Sequence, residues 1–170
     1  MAVLVADTSG LVSLGIAAGE DPDPLDLCLD RYDVLVPAIV VDELREVASY
    51  DDAHGRAATE VLDRQDRFRV RSVSLEAQFP LDDGENAAVG LANELAAALF
   101  LCDEFNSLGL VHASLADTRL VTTPTLLSLF VRQSRLESEE AIAILREISE
   151  ARSWETNSYV ERARALLERP

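Results

Sequence analysis

The sequence predicts a three-layer α/β/α protein, in which helices cover both faces of a central, mostly parallel sheet of about five strands. Short apolar runs alternate along the chain with amphipathic stretches at helical spacing, which is the pattern of strand–helix–strand units. The 170 residues are 48% apolar, which is enough to bury one hydrophobic core. Because ligands bind beyond the carboxyl ends of the strands in such sheets, we expect the functional site where the strands end.

The first elements alternate as this fold class requires. "AVLVA" at residues 2–6 is a continuous apolar run that predicts a buried strand, and Ser9 is the candidate N-cap of a short helix after it. The acidic stretch 20–26 is interrupted by prolines and predicts a loop. "DVLVP" at 33–37 predicts a second buried strand, and residues 38–49 repeat apolar side chains at the spacing of a helix.

The rest of the chain continues the alternation. Its predicted elements are a helix over 51–67, a strand within "RFRVRSVSL", a helix over 82–96 capped by Asp82 or Asp83, a strand over 98–103, a helix over 104–117, a strand over 119–123 and helices over 125–134, 138–151 and 155–168. We expect one domain over residues 1–134, and residues 135–170 form extra C-terminal helices packed on that same domain.

The charge of the chain is strongly acidic. Its 31 acidic residues face 15 basic ones, all of them arginine, which gives a formal net charge of −16. Molar salt would screen such a surface, so the composition favours a protein of a halophile with a salt-filled cytoplasm. An ordinary acidic protein from a genome that prefers arginine is the alternative. Neither interpretation excludes a nucleic acid partner, because a local site can supply positive charge.

The start of the chain and its longest apolar runs bear on localisation. "MAVLVA" has no basic region of the kind that opens a signal peptide, and no apolar run approaches the length of about 18 residues that a membrane span requires. We therefore expect a cytoplasmic protein without membrane segments.

Four carboxylates stand where one site could form. Asp7 and Asp103 each end a predicted strand, Glu43 lies on the apolar face of the helix after the second strand, and Glu85 lies at the start of the helix before the fourth strand. Parallel strands bring these positions to one edge of the sheet. Clustered carboxylates without lysines suit a hard divalent cation with oxygen ligands, Mg²⁺ or Mn²⁺.

The motifs around these acids carry a resemblance to a known family. They are "VLVADTSGLVSL", "VVDELREV", "DDGENAAVGLA" and "FLCDEFN". In this order and on these elements, they resemble the PIN-domain nucleases, which include the toxins of type II toxin–antitoxin pairs. The resemblance covers residues 2 to about 130. It implies a PIN-like fold and a metal-dependent endoribonuclease, to which the two C-terminal helices are an addition.

The resemblance also implies roles for particular residues. Asp7, Glu43, Glu85 and Asp103 would be the catalytic, metal-binding acids, and Ser9, Glu104 and Asn106 would surround them as outer contacts. The reaction would be in-line attack of a metal-activated water on an RNA phosphodiester. An antitoxin protein and a second copy of the chain, as a homodimer, are the partners that the resemblance implies.

Each acid also has an ordinary structural explanation. Asp7 could cap the following helix, and Glu85 could complete a capping box with Asp82. Glu43 could face solvent, and Glu104 could replace Asp103 as the fourth ligand. A PIN-like module without catalytic activity, which binds protein or RNA, is the alternative function, and the charge of −16 favours it because that charge hinders the capture of RNA.

Three arginines at the predicted third strand form a further candidate site. Arg67, Arg69 and Arg71 alternate in sequence, so that they share one face if they lie on one strand. A face of arginines could contact RNA phosphates, and pairing with neighbouring acidic residues is the alternative.

Overall fold

The computed structural model describes residues 1–169 as one α/β unit. Within those residues, five parallel strands form a single sheet in the order β3–β2–β1–β4–β5. The strands are β1 (Val3–Ala6), β2 (Asp33–Pro37), β3 (Arg69–Arg71), β4 (Leu99–Leu101) and β5 (Arg119–Val121). The mostly parallel sheet of about five strands that the sequence predicts is confirmed.

Helices connect the strands and continue beyond the last one. Between residues 1 and 169 they are α1 (Thr8–Ile16), α2 (Pro24–Arg31), α3 (Ala38–Ala48), α4 (Ala53–Asp63), α5 (Asp83–Leu95), α6 (Leu108–Ser114), α7 (Thr123–Arg132), α8 (Ser138–Arg152) and α9 (Ser158–Leu167), with short 3₁₀ turns at Gln65–Arg67 and Phe105–Ser107. Across the same residues, no helix combines the length and the apolarity that crossing a bilayer requires.

The central strands separate two hydrophobic clusters. Alternate residues of a strand face opposite sides of the sheet, and in β1 the side chain of Leu4 enters one cluster and that of Val5 enters the other. Val5 is in register with Leu35 of β2 and Phe100 of β4, and these three side chains pack together with α5. Helices therefore cover both faces, which confirms the three-layer α/β/α arrangement.

The two C-terminal helices pack on the rest of the fold. Helix α8 lies against α1 and α7, and α9 lies against α7 and α8. Aromatic contacts join this region to the segment after β4: the ring of Phe105 meets that of Trp154 edge-on at 5.0 Å and stacks on that of Tyr159 at 5.6 Å. The end of α8 is thereby held close to the carboxyl edge of the sheet.

The structure corrects several predicted elements. The loop predicted over 20–26 is wrong from Pro24 onward, because α2 begins there: the Asp23 carboxylate caps the helix and Pro24 occupies its first turn, where proline is tolerated. In place of the helix predicted over 51–67, the structure has α4, which begins later, at Ala53, and ends earlier, at Asp63. The third strand is reduced to Arg69–Arg71, an exposed edge strand.

Candidate active site

The first and fourth candidate acids follow neighbouring strands at the carboxyl edge of the sheet. Asp7 comes directly after β1 and Asp103 follows β4, and each is only 3% exposed. The N–H of Asp7 donates to the carbonyl of Leu101 at 3.1 Å, which ties the end of β1 to the end of β4. The crossover order of the sheet therefore brings together two acids that are far apart in sequence.

A chain of hydrogen bonds fixes the carboxylate of Asp7. Its Oδ1 accepts the N–H of Gly10 at 3.0 Å and the hydroxyl of Ser9 at 2.8 Å. The hydroxyl oxygen of Ser9 in turn accepts the N–H of Asp103 at 2.9 Å. Asp7 is thus the N-cap of α1, so the prediction that Ser9 caps this helix is wrong. Ser9 instead connects the two buried acids.

Gly10 allows this arrangement by its lack of a side chain. A Cβ at Gly10 would lie 2.6 Å from Cγ of Leu101, closer than atoms can approach without a shift. The first turn of α1 therefore packs directly on β4. In this position the N–H of Gly10 can donate to the Asp7 carboxylate.

Glu43 reaches the same place from α3. The carboxylate is half-buried, and its Oε1 accepts the hydroxyl of Thr8 at 2.8 Å. It also lies over the first turn of α5: a Cβ at Gly84 would lie 2.1 Å from Oε1 of Glu43. Gly84 therefore provides the space that this carboxylate occupies, a requirement that the local sequence pattern does not predict.

Glu85 lies in the first turn of α5 and is 6% exposed. Its N–H donates to Oδ1 of Asp82 at 2.8 Å, so Asp82 is the N-cap, one of the two residues that the sequence offers for this role. The backbone of Asp82 in turn contacts the Glu85 carboxyl and lowers its pKa, as the reciprocal half of a capping box does. The Glu85 side chain also lines a cavity.

The side chains enclose a cavity of about 50 Å³ at the carboxyl edge of the sheet. The residues that line it are Asp7, Thr8, Ser9, Glu43, Asp82, Gly84, Glu85 and Glu104. The structure thus brings three of the four predicted acids together, with the exposed Glu104 as a further carboxylate. A cavity of this size has room for a small ion together with a few water molecules.

Asp103 lies beside this cavity but does not line it. Its Oδ1 accepts the N–H of Thr123 at 2.7 Å and its Oδ2 accepts the Thr123 hydroxyl at 2.6 Å, at the start of α7. Sequence reasoning did not identify Thr123 as a contact of Asp103, although "TTP" after β5 is a helix-start signal. Asn106 is exposed in the turn that follows and lies outside the cavity lining.

The acids of this cluster are harder to ionise than ordinary carboxyl groups. Burial raises the pKa of Asp7 to about 7, and the charge of Asp103 adds to the shift. Burial also raises the pKa of Glu85 to about 7, with further contributions from Asp82, Asp7 and Glu104. The pKa values of Glu43 and Asp103 are raised as well, chiefly by burial. A cation among these groups would offset both their burial and their mutual repulsion.

The donor set matches a hard cation in its chemistry, because it consists of carboxylate oxygens. In the described part of the chain, however, no group of three or more His, Cys, Asp or Glu side chains is arranged to hold a metal ion as it stands. Glu43 and Asp103 engage the hydroxyl groups of Thr8 and Thr123.

The arginines near β3 lie away from this cavity, each beside an acid. Arg67 contacts Asp26 and Asp30 at 2.6 Å, Arg69 pairs with Asp33, and Arg71 lies 3.3 Å from Glu94. Arg67 precedes the strand, so only Arg69 and Arg71 share a strand face. These contacts correspond to the alternative of pairing with neighbouring acids.

A parallel sheet covered by helices on both faces, with acids gathered at its carboxyl edge, defines a three-layer α/β protein with an acidic site. The family model of the PIN domain matches residues 3–169, and the chain therefore belongs to the PIN-domain family. PIN domains are generally nucleases that act on nucleic acids. The match extends through α8 and α9. No protein of curated function matches the chain at a significant level.

Proposed function

We propose that this PIN domain is a divalent-metal-dependent endoribonuclease that hydrolyses RNA phosphodiester bonds. The observation that carries the proposal is the convergence of Asp7, Glu43 and Glu85, from three separate elements, on one small cavity at the carboxyl edge of the sheet. Family membership supports nuclease chemistry, and the raised pKa values of the acids support a cation as their counter-charge.

Some residues of the cavity would hold the metal ion, and others orient the metal-binding carboxylates. Asp7, Glu43 and Glu85 would hold Mg²⁺ or Mn²⁺. When bound, the cation supplies charge stabilisation at the phosphate and a nucleophilic water at neutral pH. Ser9 and Gly10 fix the Asp7 carboxylate through hydrogen bonds. Hydrolysis then adds water across one P–O bond and leaves a phosphate end and a hydroxyl end.

Asp103 and Glu104 are the two candidates for the fourth carboxylate ligand of the cation. Asp103 is predicted as a ligand, and its backbone N–H orients Ser9, which orients Asp7. Glu104 lines the cavity. If Asp103 is a ligand, Asp103→Asn weakens Mn²⁺ binding, measured by calorimetry, more than Glu104→Gln does. The reverse order would assign the fourth ligand to Glu104.

The experiment that tests the function is Mn²⁺-dependent cleavage of a labelled single-stranded RNA. We expect Asp7→Asn and Glu85→Gln to abolish cleavage while the circular dichroism spectrum stays that of the native protein. Asp117→Asn, a change in an exposed acid outside the cavity, is the matched control and keeps activity. Cleavage that survives Asp7→Asn would reject this site.

A PIN-like module without catalytic activity is the second candidate. The observation that favours it is that the acids of residues 1–169 are not positioned as a ready metal site. A titration with Mn²⁺ distinguishes the two functions, because binding to the native state raises the midpoint of thermal unfolding. An unchanged midpoint at millimolar Mn²⁺ would favour the silent module.

The remaining assignments are proposals on narrower support. Family resemblance supports a toxin with an antitoxin partner, and growth arrest on expression tests it. The exposed Tyr159 and Leu166 of α9 support a homodimer, which light scattering tests.

The charge of −16 supports a salt-adapted protein, and the buried free cysteines Cys28 and Cys102 agree with a reducing cytoplasm.

A further inference from the structure

A second cavity, of about 360 Å³, opens beside the acidic one. Thr8, Ser9, Glu43 and Glu104 line both of them, so the two form one continuous depression, and we call the larger part the side groove. The side chains that only the side groove contains are Val12, Val47, Tyr50, Asp52, His54 and Arg152. The side groove therefore presents the Arg152 guanidinium and the Tyr50 ring to a ligand that extends out of the acidic cavity.

Among the residues that the structure describes, Arg152 forms no ion pair, unlike the arginines at the end of α4 and around β3. The side chains of Arg64, Arg67 and Arg69 each lie within 3 Å of a carboxylate oxygen. In residues 1–169, by contrast, no carboxylate oxygen lies within 4.0 Å of the Arg152 guanidinium, although 31 acidic residues are available in the chain. Arg152 therefore lines the groove with a guanidinium that no ion pair of these residues occupies, whereas those of Arg64 and Arg67 are each paired.

The position of Arg152 is set by its surroundings. It is the last residue of α8, half-buried, and its guanidinium carbon lies 5.7 Å from the centre of the Trp154 ring. That ring is in turn fixed by its edge-on contact with Phe105. The guanidinium is thus held next to the acidic cavity by packing, which reduces the entropy it would lose on binding an anion.

Tyr50 supplies the second recognition element. It follows the C-terminal end of α3, and 48% of its surface is exposed even though it lines the groove. A half-exposed aromatic ring and a guanidinium in the same groove present the two surfaces that a single nucleic acid strand requires, one for a base and one for a phosphate.

We propose that the side groove binds the RNA strand that leaves the acidic cavity, with Arg152 on a backbone phosphate next to the scissile one and Tyr50 stacked on a base. Arginine binds phosphate through two parallel hydrogen bonds, and every base has a face on which an aromatic ring can stack. The inference rests on the proposed function for the identity of the ligand. It gives α8 a part in substrate binding, in addition to its packing role.

The test measures binding apart from cleavage. The probe is a fluorescein-labelled single-stranded oligouridylate, and its binding is followed by fluorescence anisotropy at several salt concentrations. All variants carry Asp7→Asn, so that the strand stays intact. We expect Arg152→Gln to weaken binding by about tenfold and to make the slope of log K against log salt shallower by about 0.7, the contribution of one phosphate contact on a single strand.

Tyr50 is expected to give a different signature. Tyr50→Ala weakens binding by about tenfold and leaves the salt slope unchanged, because stacking releases no counterions. Tyr50→Phe retains the affinity. Arg152→Lys keeps the salt slope but binds less tightly than arginine, since lysine lacks the planar fork. Arg146→Gln is the matched control: it removes the same charge from an exposed position on α8, and neither affinity nor slope changes.

Three results would overturn the inference. If Arg152→Gln lowers the unfolding midpoint but leaves the salt slope as it was, Arg152 serves packing and not RNA. If Tyr50→Ala and Arg152→Gln both bind as the Asp7→Asn parent does, the strand takes another path, and the groove suits a protein partner instead. If the parent binds no RNA, the inference fails together with its ligand. Cleavage of RNA by the unmodified chain is scored separately, so the nuclease proposal can stand when the groove proposal falls.

Discussion

Both carboxylate oxygens of Asp103 accept hydrogen bonds from Thr123, one from its N–H at 2.7 Å and one from its hydroxyl at 2.6 Å. Asp103 follows β4 and Thr123 is the first residue of α7, so the pair joins the centre of the sheet to the helix on which α8 and α9 pack. The backbone of Asp103 also orients Ser9. One acid therefore supports the acidic cavity and anchors α7.

We predict that Thr123→Val destabilises the protein by about 1–3 kcal/mol, because it leaves one oxygen of a buried carboxylate without its donor. Urea unfolding near neutral pH measures the loss. Thr59→Val is the control: it removes a hydroxyl from an exposed helical position and is expected to change the unfolding free energy by less than about 0.5 kcal/mol. Equal losses of unfolding free energy in the two variants would show that the Thr123–Asp103 hydrogen bond adds no more stability than an exposed hydroxyl does.

We predict that Gly84→Ala weakens the cation site while the fold stays intact. The new Cβ would lie 2.1 Å from Oε1 of Glu43, so this carboxylate must move, and the tip of a glutamate moves at little cost. Alanine also suits a helix better than glycine, by about 1 kcal/mol. The expected result is an unchanged or higher unfolding midpoint without metal and a smaller rise on addition of Mn²⁺.

Gly90→Ala is the matched control for this change. It lies in the same helix, where an added Cβ would meet only Cγ1 of Val73 at 3.7 Å, an ordinary contact. It is expected to leave the Mn²⁺ response as it is in the unmodified chain. If Gly84→Ala responds to Mn²⁺ as Gly90→Ala does, Glu43 is not part of the cation site.

Most of the fold could be predicted from the sequence, because its strands and helices follow from strong local patterns of apolar residues. Asp7 directly follows β1, Asp103 follows the end of β4 by two residues and Asp82 caps α5, at or close to the positions that apolar periodicity and capping rules predict. The exceptions are short elements: α2 begins with a proline that resembles a loop signal, and β3 keeps only three residues.

The geometry of the site was less accessible from the sequence. The convergence of Asp7, Glu43 and Glu85 follows from strand order, which the motifs indicated. The direction in which a side chain points does not follow from local pattern, because it depends on partners distant in sequence. Thr123, twenty residues after Asp103, turns that carboxylate away from the cavity lining, and Gly84 matters only because Glu43 lies over it.

We predict that the metal-free protein loses stability as the pH rises from about 5 to about 8. Folding raises the pKa values of Asp7 and Glu85 from their ordinary 3.8 and 4.5 to about 7. The folded state therefore binds more protons than the unfolded chain over this range, so its stability is fully present below the ordinary values and is lost as the pH passes through about 7. Thermal unfolding in the presence of a chelator measures the trend.

Mn²⁺ and Asp7→Asn should each reduce this pH dependence. The cation binds the deprotonated acids, so it is expected to raise the unfolding midpoint more at about pH 8 than at about pH 5. Asp7→Asn removes one of the two shifted groups and flattens the curve measured without metal. A curve that rises with pH in the metal-free protein would show that folding does not raise the pKa values of these acids.

We predict that Arg64→Gln destabilises the fold by about 2 kcal/mol. The side chain is only 17% exposed, and it joins α4 to α2 through Asp23 at 2.9 Å and Asp26 at 2.8 Å. The contact with Asp23 supports the residue that caps α2. Arg45→Gln is the control, since the Arg45–Asp42 pair is exposed and 3.4 Å apart, and such pairs contribute less than about 1 kcal/mol. Equal losses would mean that the Arg64 contacts act as an ordinary surface pair.

We predict that molar KCl raises the unfolding midpoint of the metal-free protein. The net charge of −16 makes the folded surface repel itself, and at about 1 M salt the screening length falls to about 3 Å, which removes most of that repulsion. Thermal unfolding at increasing KCl measures the effect. A variant in which the exposed acids Glu139, Glu150 and Glu155 become glutamine carries a charge closer to zero, so its midpoint should rise less over the same range. A midpoint that stays constant or falls with KCl would contradict salt adaptation and favour an ordinary acidic protein.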